Sequence, residues 1–245
     1  MAMTSSAPPL TETIGNVVHD LAAHGCALIQ TLIDDATCDA MLSASSVLLQ
    51  DSGRRRPGAR RVLQRCPDLA PLIAASPVAS LMAAIGGPDA RVVRSIIFEK
   101  SAETNWLVPW HQDPTIAVAE RRDAPGFDLW NVKDGEVHCR PPTTVLDAIF
   151  IIRVHLDDCT ESSGPLRVIR GSHRLGILTD DQIQHLVTTT DHLNCTTPRG
   201  GAALMRPLSV HSSAKATSAV SHRRVLHLEC SAAPLPAGLR WAECD

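Results

Sequence analysis

The chain has 245 residues, 44% hydrophobic and 20% charged, with a formal net charge of −3. That composition can build a core, and its near-balanced charge gives no ground for a nucleic-acid or anionic-membrane partner. No apolar run reaches the roughly 18 residues of a membrane span, and no secretory segment is recognised at the N-terminus. The expectation is a soluble, cytoplasmic protein: a flexible leader over residues 1–10, then a single domain over 11–245.

After the leader, Thr11–His24 spaces Ile14, Val17, Val18 and Leu21 as a helix face, and Gly25 ends it. Cys26–Ile29 reads as a strand. A second helix is expected from Asp34–Asp35 to about residue 49. Residues 51–61 carry Arg54, Arg55, Arg56, Arg60 and Arg61 around Pro57–Gly58 and read as a basic loop. Residues 67–85 read as one or two helices broken at Pro77.

From Arg91 the pattern changes to short apolar runs, with strands expected over 91–100, 108–113, 143–156, 165–169, 202–206, 208–212 and 223–231. That succession points to an antiparallel double-sheet barrel. Residues 120–142 are long, polar and punctuated by Pro and Gly, and are expected to be an irregular cover over a site. A short helix is expected over 178–188. Aromatic residues make up only 3% and tyrosine is absent, so Val, Ile and Leu must supply the strand packing that aromatics often give. The eight cysteines form no Cys-x-x-Cys pair and read as thiols in a reducing compartment.

The most informative stretch is His111-Gln112-Asp113. In an extended segment, residues i and i+2 share a face, so an imidazole and a carboxylate can grip one metal ion while Gln112 points away. His211 is the best candidate for a third ligand, and Arg223 follows twelve positions later. Two histidines and one carboxylate make a facial triad that leaves positions open for a chelating co-substrate and O2 on Fe(II). An arginine on a neighbouring strand suits the far carboxylate of 2-oxoglutarate. Only one of Arg223 and Arg224 can face inward; Arg223 is chosen and Arg224 is the alternative.

The order His-x-Asp, His, Arg resembles the phytanoyl-CoA dioxygenase family of Fe(II)/2-oxoglutarate-dependent oxygenases. Residues 156–174, with Gly164-Pro165-Leu166 and Gly171-Ser172-His173, are similar to that family's Asp-rich turn and Gly-Ser-His corner. Arg170 stands where the family often has proline, which alters a turn and not the chemistry. The resemblance covers roughly residues 15–230. It implies a mainly β fold with flanking helices, a double-stranded β-helix or jelly-roll of the cupin type. The implied site has Fe(II) on His111, Asp113 and His211, and 2-oxoglutarate on Arg223 with help from Ser213; O2 is the oxidant. It further implies oxidation, most simply hydroxylation, of a C–H bond of a small-molecule metabolite, since relatives often serve in natural-product or amino-acid tailoring. Related halogenases lack a carboxylate at the Asp113 position, so its presence disfavours chloride transfer.

Arg153 shares the alternation Ile151, Arg153, His155, which makes it a candidate contact for 2-oxoglutarate or substrate. Arg61, Lys100, Gln112 and Trp106 are the candidate substrate contacts. Two other readings stand beside the oxygenase: a non-catalytic ligand-binding member of the same fold, and a zinc hydrolase. The second lacks a His-Glu-x-x-His base. The sequence does not specify the substrate or the oligomeric state.

Overall fold

The computed structural model of the protein describes residues 10–51, 54–55, 57–217 and 222–243. Two facing antiparallel sheets form the double-stranded β-helix. The major sheet runs β1 (Cys26–Ile29), β13 (Ala202–Met205), β10 (Phe150–His155), β15 (Arg223–Ser231), β5 (Arg91–Lys100), β4 (Gly58–Arg60). The minor sheet runs β12 (Leu193–Cys195), β11 (Leu166–Val168), β14 (His211–Ser213), β6 (Val108–His111). A third, three-stranded sheet orders β7 (Ile116–Val118), β9 (Glu136–Arg140) and β8 (Asp128–Lys133), and a short hairpin pairs β2 (Gln50–Asp51) with β3 (Arg54–Arg55).

Alternation along the strands assigns the two faces of the major sheet. Ile152, Val154, Leu226 and Leu228 point outward into an aliphatic core, packed against α1 (Leu10–His24), α2 (Asp35–Ser45), α4 (Leu69–Ala74) and α5 (Pro77–Gly86). Ile151, Ala203 and Met205 point inward and meet Leu166 and Val168 of the minor sheet. The inward face of β15 therefore carries Arg223, Val225, His227 and Glu229, and all four are buried. Both cores are largely aliphatic, as the aromatic poverty requires. The seven cysteines among the described residues are all buried and reduced.

Helix boundaries follow local chemistry. Asp34 caps α2 by accepting from the Thr37 amide at 2.8 Å, and a 3-10 turn continues it to Leu49. Ser76 caps α5, with Pro77 at its first turn, where a missing N–H costs nothing. Thr179 and Gln182 form a reciprocal capping box at α7 (Asp180–Thr189). The remaining helices are the single turns α3 (Val62–Arg65) and α6 (Thr143–Asp147).

Several expectations are corrected. Residues 143–156 are not one strand, because α6 occupies 143–147 and β10 starts at Phe150. The strand expected over 208–212 is β14, at 211–213. The stretch 120–142 is a regular hairpin over most of its length and not an irregular loop, and its Lys133 and His138 line a cavity. Asp134 (φ 51°) and Gly135 (φ 77°) both take left-handed backbone there, as a two-residue turn between twisted strands demands. The leader up to residue 9 and part of the basic loop lie outside the described residues.

Candidate metal centre

His111 ends β6 and His211 begins β14, and the two are direct cross-strand partners. The register shifts between His211 and Ser213, a bulge of the kind that re-aims side chains beside active sites. Asp113 lies just beyond β6, with its amide held by the Pro207 carbonyl at 2.9 Å. The three side chains converge. Nε2 of His111 is 3.5 Å from Asp113 Oδ1, Nε2 of His211 is 3.5 Å from Oδ2, and the three ligand atoms lie within 4.8 Å of one another.

Both imidazoles are set in one tautomer. His111 Nδ1 meets the Pro109 carbonyl and His211 Nδ1 meets the Ser209 carbonyl, each at 2.8 Å. A carbonyl only accepts, so each Nδ1 carries the proton and each Nε2 offers its lone pair. Burial pushes the His211 imidazole down to about 4 and keeps it neutral. Burial would raise the Asp113 carboxyl, but the imidazoles of His211 and His111 outweigh that and hold it well below the usual carboxylate range. Two imidazoles that turn Nε2 inward and one carboxylate on one face, backed by fixed hydrogen bonds, suit a divalent first-row metal with positions left open.

A cavity of about 240 Å³ opens from this triad between the two sheets. Arg223, Arg153 and Ser213 line it. Arg223 is 2% exposed, and its Nε and Nη1 have no hydrogen-bond partner among the described residues. Arg224 faces the other way. It closes on Asp157 through Nε and Nη2 at 2.7 Å each, and its amide adds a third bond at 2.8 Å. The alternation that sends Leu226 and Leu228 into the outer core thus turns Arg223 inward. A buried guanidinium without a carboxylate is costly, and the acid end of 2-oxoglutarate is a fitting partner.

The other sequence-derived candidates divide. Arg153 lines the cavity and donates from Nη1 to His227 Nδ1 at 2.8 Å. Ser213 donates to the Gly164 carbonyl at 3.0 Å and accepts from Lys100 Nζ at 2.7 Å. Lys100 is fully buried behind Ser213, where it also bonds the Ala214 carbonyl. Burial, then Arg223 and Arg153, push its amine down to about 7. Lys100 therefore backs the cavity wall and is not placed as a direct substrate contact. Trp106 does line the cavity, with its ring 5.9 Å from Phe98.

Two assignments are corrected. Gln112 faces away from the cavity: its amide donates to the carbonyls of Gly176 (2.9 Å) and Leu208 (2.7 Å) and accepts from Leu178 N (2.8 Å). It latches the metal strand to its neighbours. Arg61, in left-handed backbone before α3, donates to the Asp134 carbonyl at 3.3 Å. Arg60 reaches the cavity wall instead, paired with the Asp134 carboxylate at 2.9 Å.

Sequence reasoning missed a buried polar wall opposite the triad. Arg94 Nη1 bonds Glu229 Oε1 at 2.6 Å. Glu136 Oε2 stands 3.5 Å from Arg94 Nε and 3.2 Å from His138 Nε2. The inward alternation of β15 could have exposed Glu229, but Arg94 and Glu136 come from other strands and need the register.

Fold and site together define a double-stranded β-helix protein with a two-histidine, one-carboxylate metal site. The family model described as phytanoyl-CoA dioxygenase (PhyH) matches residues 21–225, and the chain belongs to that family. The L-proline trans-4-hydroxylase of Streptomyces griseoviridis is 29% identical over 161 residues, which is 55% of this chain and 52% of that protein. The chain thus matches about half the length of that curated relative. Among solved structures, SnoK, a non-heme alpha-ketoglutarate-dependent carbocyclase from nogalamycin biosynthesis, superposes with a TM-score of 0.67 at 15% identity, over 92% of this chain and 87% of that one. EctD from S. alaskensis gives 0.65 at 15% identity, over 94% and 79%. At these identities the likeness establishes the fold. No helix among the described residues is long and apolar enough to cross a membrane.

Proposed function

We propose that this protein hydroxylates an unactivated C–H bond of a small-molecule metabolite, using Fe(II), 2-oxoglutarate and O2. The observation that carries the reading is the pairing, in one cavity, of the His111–Asp113–His211 triad with the buried, uncompensated Arg223. The proline hydroxylase relative supports a small amino-acid-like substrate, and SnoK supports service in natural-product tailoring.

His111, Asp113 and His211 would hold the iron, and Arg223 the distal carboxylate of 2-oxoglutarate. When bound, that pair supplies oxidising power: one O2 and one 2-oxoglutarate give succinate, CO2 and one oxygen atom inserted into the substrate. The chain's own residues bind and orient. The carbonyls of Pro109 and Ser209 fix the imidazoles so that both Nε2 atoms face the ion. Arg223 gives 2-oxoglutarate one direction in the cavity, because a planar guanidinium holds a carboxylate by two parallel bonds. Ile96, Phe98 and Trp106 supply an apolar wall that keeps water from the reacting carbon. Iron-loaded protein incubated with 2-oxoglutarate, air and a panel of amino acids and specialised metabolites tests the reading. Succinate rising with a product heavier by one oxygen supports it; no substrate-dependent succinate from any member would count against it.

A further inference from the structure

Arg153 is the one guanidinium of the cavity that the reading above leaves without a partner anion. It is 7% exposed, it lines the cavity, and among the described residues no carboxylate pairs with it and its Nε has no hydrogen-bond partner. The neighbouring arginines are accounted for. Arg94 lies between Glu229 and Glu136, Arg60 is paired with Asp134, and Arg223 is assigned to the co-substrate. An uncompensated buried cation is strongly disfavoured unless a ligand completes it.

The side chain is also held in place. Its Nη1–H donates to His227 Nδ1, so the imidazole proton sits on Nε2, which faces Glu229 Oε1 at 3.5 Å. Burial lowers His227 and keeps that ring neutral. Glu229 is fixed in turn by Arg94. The guanidinium stacks over the Phe98 ring at 5.5 Å. A relay across β5, β15 and β10 thus orients a cation whose Nε–H has no partner among the described residues.

We propose that Arg153 is the anion receptor for the primary substrate, which is accordingly a small molecule bearing a carboxylate, at a subsite distinct from that of 2-oxoglutarate. This rests on the functional reading above. Three arguments favour it over a second contact to 2-oxoglutarate. Arg153 pairs across the ladder with His227, four residues along β15 from Arg223, which is roughly 13 Å of strand. In formal charge, ferrous iron with Asp113, the 2-oxoglutarate dianion and Arg223 already cancel, so 2-oxoglutarate needs no second guanidinium. Finally, the cavity continues past Ile96, Phe98 and Trp106 into a second one of about 320 Å³ lined by Pro57 and Ala59. A carbon skeleton can lie on that apolar wall while its carboxylate meets Arg153.

The test is calorimetric, on nickel-loaded protein saturated with 2-oxoglutarate and titrated with cyclopentanecarboxylate or its uncharged amide. The wild type should bind the acid at least about tenfold more tightly than the amide. Arg153→Gln, which can still donate to His227, should lose that preference, and Arg153→Lys should keep part of it. The Kd for 2-oxoglutarate should stay within about twofold in all three proteins. A wild type without the preference, a preference surviving in Arg153→Gln, or about a tenfold loss of 2-oxoglutarate affinity in that variant would each overturn the proposal. Failure of 2-oxoglutarate to bind the wild type would instead remove the functional reading, and the acid-against-amide comparison without it would still decide the role of Arg153.

Discussion

Lys100 and Arg223 are direct partners across the β5–β15 ladder, and neither meets a carboxylate among the described residues. Like charges placed opposite one another destabilise a sheet, and here both are buried. Unfolded, the lysine titrates near its ordinary 10.5; folded, burial and the two arginines bring it to about 7. Between those values the unfolded chain binds more protons, so this residue makes stability rise with pH from about 7 to 10.5, and its charge penalty is fully present below 7. Lys100→Met should abolish that rise and should stabilise the protein below neutral pH by about 1–3 kcal/mol. Thermal unfolding as a function of pH reads both effects. In the wild type near neutral pH, 2-oxoglutarate binding should take up a proton, seen as a buffer-dependent binding enthalpy.

Arg223 and Arg224 differ in what they should cost. Arg223→Ala removes charge-assisted bonds worth about 1.5–3 kcal/mol, or about tenfold to a hundredfold in 2-oxoglutarate affinity. Arg224→Ala removes the two guanidinium bonds to Asp157, whose carboxylate keeps only the residue-224 amide, and should lower stability by about 1–2 kcal/mol while leaving 2-oxoglutarate affinity unchanged. Titration of both variants and their denaturant midpoints check the contrast.

Gly164 supports the same end of the cavity. Its φ is 67°, and a Cβ there would collide with the Ala214 carbonyl. Its own carbonyl accepts from Ser213. Gly164→Ala should cost about 1–3 kcal/mol of stability and weaken 2-oxoglutarate binding, because the Ser213–Lys100 contacts must shift. Urea unfolding and 2-oxoglutarate titration read the two effects.

Gln112→Ala removes one buried and two part-buried hydrogen bonds and leaves their backbone partners without the amide, at about 1–3 kcal/mol. The loss should appear as reduced stability and metal retention. A rise in substrate KM with stability unchanged would return Gln112 to the substrate site.

Alternation grouped Arg223 with Val225 and His227, and Arg224 with Leu226 and Leu228, but which group faces inward rested on the family's spacing from His211; the packing of Leu226 and Leu228 against the helices turns Arg223 inward. The His111–Asp113 pair followed from the same two-residue period. The hairpin at Asp134–Gly135 carried a turn signal of its own, masked because β8 is mostly exposed and lacks apolar alternation. Thr143-Thr144-Val145 has strand propensity, yet it follows Pro142 and closes into one helical turn, a local propensity overridden by context. The Arg94–Glu229–Glu136 wall was not legible, because its members lie far apart in sequence and meet only through the register of β5 with β15 and the packing of β9.

The most direct measurement is anaerobic calorimetry of Fe(II) and then 2-oxoglutarate on the wild type, Asp113→Ala and Arg223→Ala. The expected result is one Fe(II) per wild-type chain, followed by 2-oxoglutarate binding that requires the iron. Asp113→Ala should retain its fold and lose the iron, and Arg223→Ala should keep the iron and lose most of the 2-oxoglutarate affinity. Iron held equally well without Asp113, or 2-oxoglutarate bound equally well without iron or without Arg223, would contradict a facial-triad site with its co-substrate anchored at Arg223.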